Sequence, residues 1–209
     1  MDNINDFLPT KGRFIFMNEG NEGGPFHSRK FHVPGPTSGL TIGRGYDMKE
    51  RSKAEIKTHL INAGISATDA DVISNAATLK GADAKKFIVT NKLENFEVTM
   101  QQQLSLFNAI YPFYEKDTIR ICTKPDVEEA YGKCNWAAIH PSIQELLVDL
   151  RYRGDYTGTL RKIIQKPAIT NNFAELLVQL KNKNNFPGID DSRFKARITL
   201  ITEASKPNA

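Results

Sequence analysis

The sequence predicts an α+β fold in a single domain, with a small β-hairpin region in residues 1–50 and a predominantly helical lobe over residues 51–209. Three observations carry the prediction. The stretch from Ser38 to Met48 is punctuated by Gly39, Gly43 and Gly45 around short apolar pieces, the pattern of a tight hairpin. From Ser52 onward helical spacing and helix-end signals dominate. A length of 209 residues fits one domain of ordinary or slightly large size with a proper core, and it leaves room for two packed lobes without two independent domains.

In chain order, Phe14-Ile15-Phe16 is a short apolar piece suited to a brief helix or turn. A loop rich in Gly, Pro and His follows, and Leu40-Thr41-Ile42 opens the hairpin. Ile56, Leu60 and Ile61 mark one helical face, and Thr68 with Asp69 and Asp71 is expected to start a second helix that ends at Gly81. Thr99 followed by Gln102 is a capping box, opening a helix through Leu104, Phe107 and Ile110. Pro141 suits a first helical position, and Gly154 suits the stop after Ile143, Leu146, Leu147 and Leu150. Two more helices are expected around Phe173–Leu180 and Phe194–Ile201. No internal repeat or low-complexity segment is present.

A net charge of +4 and a pI near 9.0 suit an anionic polymer or simple solubility. No Lys/Arg cluster with interleaved aromatics points to nucleic acid. No apolar run approaches the ~20 residues of a membrane span, and the acidic start Asp2-Asn3-Ile4-Asn5-Asp6 lacks the basic and apolar regions of a secretory signal. Cys122 and Cys134 could bridge in an oxidising compartment, but two free thiols are the expectation for a chain without a signal. His27, His32, His59 and His140, even with Cys122 or Cys134 as further ligands, match no zinc spacing, so no metal is expected.

The chemistry-bearing feature is a pair of carboxyl residues flanking the hairpin. Glycosidic cleavage needs one protonated carboxyl to protonate the leaving oxygen and one ionised carboxylate to activate water or attack the sugar. Glu19, beside Phe14, Phe16 and Met17, is the candidate acid, and Glu22 is its rival. Asp47 is the candidate base, although an Asp after a turn also serves as a helix N-cap. Thr41 would hold the attacking water, or else is simply a β-branched strand residue. Gly43 and Gly45 permit positive φ or close approach to a sugar, and lack the third glycine of a dinucleotide fingerprint.

Glu19-Gly20 followed by Thr41-Ile42-Gly43-x-Gly45 resembles the active-site hairpin of phage-type lysozymes. With Val33-Pro34, Ser38-Gly39 and Tyr46-Asp47, the pattern is closer to the muramidase domain of pesticin and related toxins. Phage-type lysozymes carry a catalytic aspartate between the glutamate and the Thr-Ile-Gly segment. Residues 20–40 here contain none. The pesticin-like pattern instead places it after the threonine, where Asp47 stands. A second segment, Leu147 to Asp155-Tyr156 followed by Gly158-Thr159-Leu160, is similar to the helix, glycine turn and helix lining the far side of the lysozyme cleft. It departs in Arg151 and Tyr152, which with Asp155 and Tyr156 would flank a saccharide, or else form a capped helix end with a solvated face.

The resemblance implies a lysozyme-like fold and inverting hydrolysis of the β-1,4 bond after N-acetylmuramic acid in peptidoglycan. Glu19 would be the acid, with Asp47 and Thr41 activating water, and no cofactor would be needed. It further implies glycan strands as partner, a monomer, and action in the periplasm or on the wall of a target bacterium after synthesis in the cytoplasm. With the missing signal, it favours an antibacterial toxin, such as a type VI secretion effector, with a cognate immunity protein or a secretion-apparatus carrier. The alternatives are a phage endolysin, a lytic transglycosylase and a non-catalytic wall-binding module. A phage spike would carry trimeric repeats, which are absent.

Overall fold

A computed structural model describes residues 3–24 and 27–206 of the chain. The glycine-punctuated stretch forms an antiparallel hairpin, β1 (Thr41–Ile42) and β2 (Tyr46–Asp47), with Thr41 opposite Asp47 and Ile42 opposite Tyr46. Its three-residue turn is Gly43-Arg44-Gly45. Both glycines lie in the left-handed region, at φ 63° and 82°, which residues with a Cβ adopt only at a cost. Everything else regular in the described residues is helical, so the chain is α+β and mostly helix.

The chain divides into two compact units, residues up to Tyr111 and residues from Pro112 onward. The first holds α1 (Arg13–Asn18), the hairpin, α2 (Lys53–Asn62), α3 (Ala67–Ile73), α4 (Gly81–Thr90) and the first half of α5 (Met100–Cys122). Ile15 and Phe16 of α1, with Ile42, Tyr46 and Met48 of the hairpin region, are fully buried. Phe16 meets the edge of Phe107 on α5 at 5.1 Å between ring centroids. The Tyr46 hydroxyl lies 2.9 Å from His59 Nδ1 on α2. The α5 capping box forms as the sequence predicts: Gln102 N–H donates to Thr99 Oγ1 at 3.1 Å, and Thr99 N–H to Gln102 Oε1 at 2.9 Å. The helix then continues through Pro112 to Cys122, well past the last periodic residue recognised in the sequence.

One expected helix differs. Ser66, rather than Thr68, caps α3 by accepting from Asp69 N–H, and the helix ends at Ile73, not at Gly81. Gly81 instead opens α4, because its N–H donates to Ser38 O beside the Gly39–Lys80 bridge. A Cβ at Gly81 would stand 2.4 Å from Pro36 O. The glycine is therefore demanded by close approach to the loop before the hairpin, which local helix-end rules do not report.

The second unit contains the rest of α5, then α6 (Pro125–Tyr131), α7 (Pro141–Arg153), α8 (Gly158–Ile169), α9 (Phe173–Lys181) and α10 (Asp191–Ala204). Pro141 takes the first position of α7 behind a His140 cap, and Gly154 ends it at φ 91°, both as the sequence predicts. Ile143, Leu146, Leu147 and Leu150 join Leu160, Ile164, Leu176, Leu180 and Ile201 in one buried cluster. Cys122 and Cys134 are free thiols on this cluster. Burial first, and then the neighbouring Cys122, push the Cys134 thiol up to about 12, so it is protonated at neutral pH.

The cluster surrounds one buried carboxylate. Asp149 is fully buried on α7, accepting from Arg193 through Oδ1 and from Arg197 Nε through Oδ2 at 2.6 Å. Arg197 also donates to Asp155 Oδ2 at 2.7 Å. Removing one partner of such a network leaves buried charge without compensation, which costs about 3–5 kcal/mol. Asp149→Ala is therefore expected to lower the unfolding free energy by that order in urea titrations. Arg193→Ala, at the less buried edge, should cost less. Equal and small effects from both would contradict a central role for the carboxylate.

Candidate functional site

Helix α1 ends at Asn18, and Glu19 is its C-cap, half-buried at φ −93° and ψ 9°. The segment after it is fixed by the hairpin turn. Arg44, only 3% exposed, donates through one terminal nitrogen to Phe16 O at 3.1 Å and to Gly20 O, and through the other to Glu22 Oε1 at 2.7 Å. Its guanidinium carbon stands 4.9 Å from the Phe16 ring centroid. Asn21 N–H donates to Ser28 Oγ at 2.9 Å, and a Cβ at Gly20 would meet that same oxygen at 2.0 Å. The glycine after Glu19 is thus required by crowding.

Glu22, the rival acid, is held by three donors. Gln103 donates to Oε1 at 2.8 Å alongside Arg44, and Arg29 donates to Oε2 at 2.9 Å. Burial alone would raise its pKa, but the hydrogen bonds from Gln103, Arg29 and Arg44 outweigh it and hold the carboxyl below the usual 4.5. Glu22 is thus held as an ion-paired carboxylate, a setting that suits a charge partner better than a proton donor. Arg29 also pairs with Glu97 at 2.7 Å, and His27 Nε2 lies 3.0 Å from the same Glu97 oxygen.

Glu19 lines a cleft of about 660 Å³, together with Gly20, Asn21, His27, Ser28, Lys30, Phe31, His32, Val33, Pro34 and Glu94. Thr41 and Asp47 stand one strand behind this wall. His32 and Thr41 exchange backbone hydrogen bonds of 3.0 and 2.9 Å, and Thr41 faces Asp47 across the hairpin. Directly opposed residues share one face of a sheet. Both side chains engage Gly39: Thr41 Oγ1 donates to Gly39 O, and Gly39 N–H donates to Asp47 Oδ2, each at 3.2 Å. Asp47 Oδ1 also accepts from Lys49 N–H at 2.8 Å. Asp47 therefore braces the turn before α2, whose N-cap is Ser52. Each Asp47 oxygen retains lone-pair capacity for a water.

The remaining residues named from sequence meet different fates. Gly43 is buried, donating to Ser28 O at 2.7 Å and packing on Gln103, so its close approach is to protein and not to a sugar. Gly45 is half-buried at the turn. In the second unit, Tyr156 is 4% exposed, with its hydroxyl 3.1 Å from Cys122 Sγ and donating to Gln165. Packed in the helical core, it offers no ring face to a saccharide. Asp155 is paired with Arg153 and Arg197 while lining a cavity of about 460 Å³ with Gly154, Thr157 and Thr159. Arg151 pairs with Asp117 at 2.5 Å, and the Tyr152 ring lies 4.2 Å from Tyr114. In the first unit, Thr41 and Asp47 are paired with each other and Thr41 is bridged to His32, while Glu19 lines the cleft that His32 also lines. Among the described residues, no cluster of three or more His, Cys, Asp or Glu is placed to hold a metal.

Arg44, Arg29 and Gln103 were not identified from sequence as site residues. Only Arg44 carried a local signal, a lone cation between two turn glycines. A small hairpin clipped to the end of a short helix by a buried arginine, beside a carboxyl-lined cleft, defines the class of site. The sequence profile of the family described as Domain of unknown function (DUF8812) matches residues 12–198, and the chain belongs to that family. No curated protein matches the chain.

The Glu22 geometry fixes a pH dependence. Its folded pKa lies below the unfolded value, so the stability it contributes is complete above about pH 4.5 and is lost as pH falls through the folded value. Thermal melts between pH 7 and pH 3 should show Glu22→Gln less stable than the parent at neutral pH, the gap closing on acidification. A gap that persists unchanged to pH 3 would contradict the ion-paired assignment.

Proposed function

We propose that the chain is a peptidoglycan hydrolase, a muramidase with a lysozyme-like fold, cleaving the β-1,4 bond after N-acetylmuramic acid. One observation carries the reading. Of the three residues that the pesticin-like pattern selects, Glu19 lines the cleft with His32, and Thr41, paired with Asp47 across the hairpin, is bridged to that same His32. In this mechanism Glu19 donates its proton to the glycosidic oxygen. Asp47, with Thr41 beside it, takes a proton from water attacking the opposite sugar face, which inverts the anomeric centre. Cleft residues Phe31 and His32 supply ring surfaces for sugar faces and polar edges for hydroxyls. Arg151 and Tyr152 are proposed as glycan contacts within the second unit. Asp155 and Gly45 are kept as weaker ones.

A specific observation favours a second reading. Both Asp47 oxygens already accept backbone N–H groups, and a lytic transglycosylase needs one acid and no aspartate to activate water. The two readings differ in their products: hydrolysis leaves reducing muramic acid, and transglycosylation leaves 1,6-anhydro ends. For the biological role, the proposal is an antibacterial toxin acting on the wall of a target cell as a monomer. A cognate immunity protein or a secretion-apparatus carrier would be its protein partner.

The test is digestion of purified sacculi with mass spectrometry of the products. The parent should release reducing-end muropeptides. Glu19→Gln should lose ~10²–10⁴-fold in rate with its fold intact, because an amide has no proton to deliver. Asp47→Asn should retain sacculus binding and lose hydrolysis. Dominant 1,6-anhydro products would install the transglycosylase reading, and binding without any release would install a non-catalytic wall module.

A further inference from the structure

We infer that Arg44 is a positioning residue that sets the Glu19 carboxyl for proton transfer, an assignment that rests on the muramidase reading. A guanidinium almost wholly removed from water in a hairpin turn is expensive unless its donors are satisfied. Its terminal nitrogens donate to Phe16 O, Gly20 O and Glu22 Oε1, which lie within seven residues of chain that bracket Glu19. Phe16 O belongs to the last turn of α1, where carbonyls lack helical partners, and Gly20 O follows Glu19 directly. One terminal nitrogen of Arg44 donates to both. The backbone on either side of Glu19 is therefore tied to a single point, and the other terminal nitrogen anchors that point to Glu22 at 2.7 Å.

The turn itself is built for this reach. Gly43 and Gly45 take left-handed conformations on either side of Arg44, and Gly43 N–H is held by Ser28 O at 2.7 Å. Ser28 Oγ receives Asn21 N–H on the far side of Gly20. The segment carrying Glu19 is thus gripped by Arg44 from one direction and by Ser28 from the other. A lysine could keep the charge but not the planar fork that meets two carbonyls and a carboxylate together. Displacing a proton donor by about 1 Å costs on the order of 10²-fold in rate.

The experiment measures kcat and KM on solubilised glycan strands for the parent, Arg44→Lys, Glu19→Gln and the double variant, with folding checked by circular dichroism. Arg44→Lys should lower kcat about 10²-fold and leave KM within a few-fold. In the Glu19→Gln background the same substitution should cost nothing more, because Arg44 acts only through that carboxyl. Glu22→Gln, which keeps both carbonyl contacts, is the second variant should Arg44→Lys fail to fold. It should show a smaller loss, about 10-fold, again confined to kcat and again absent in the Glu19→Gln background. A parental kcat in the folded Arg44→Lys, or an equal loss in both backgrounds, overturns the assignment while Glu19→Gln remains inactive. If Arg44→Lys does not fold, the same two outcomes for Glu22→Gln overturn it. A parent whose rate is unchanged by Glu19→Gln overturns the muramidase reading and the assignment with it.

Discussion

The first unit is organised around one buried guanidinium. The Arg44 contacts to Phe16 O, Gly20 O and Glu22 tie the end of a six-residue helix directly to a hairpin whose strands are two residues each, and Ser28 adds an indirect tie through Asn21 and Gly43. Neither element is stable alone: a two-turn helix is below the length that sustains itself in water, and an isolated short hairpin is marginal. Their apolar faces, Phe16, Ile42 and Tyr46, supply burial, but burial is not directional. Direction comes from the arginine. Its fork fixes where the chain leaves α1, and so where Glu19 stands at the cleft.

The second unit uses the same device for a different end. Asp149, wholly buried between Arg193 and Arg197, is an ionic centre inside a cluster of Leu and Ile side chains, and its network ends on Asp155 at the cavity edge. Here the charges join α7 to α10 and touch no cleft carboxyl. Arg151 and Tyr152 lie on the same helix, held by Asp117 and Tyr114. Of the four saccharide candidates in this segment, Tyr156 is packed in the core, and Asp155 carries ion pairs to Arg153 and Arg197 while lining the cavity.

Much of the fold was legible because it is encoded locally. The hairpin followed from its glycines, the start of α5 from Thr99 and Gln102, and both ends of α7 from Pro141 and Gly154. What escaped depends on contacts between distant residues. Gly81 reads as a helix stop until Ser38 and Pro36 are seen pressing against it. The same holds at the site. Glu19, Thr41 and Asp47 could be picked out from a motif, but the donors that hold Glu22, namely Arg29, Arg44 and Gln103, could not, the last of them 81 residues away. No spacing rule reports such a partner. Gly43 likewise read as open to a sugar, whereas Ser28 and Gln103 already occupy its approach.

The central claim is that a proton from Glu19 and a water held by Asp47 and Thr41 act on opposite faces of one sugar. The configuration of the newly formed product end reports this directly, since water attacking opposite the leaving group inverts the anomeric carbon and a covalent enzyme intermediate retains it. Proton NMR of a defined peptidoglycan oligomer, followed from the first minutes of cleavage before mutarotation, is the decisive measurement. The account predicts that the α-anomer of the new reducing muramic acid appears first. Initial appearance of the β-anomer, or of no reducing end, would contradict it.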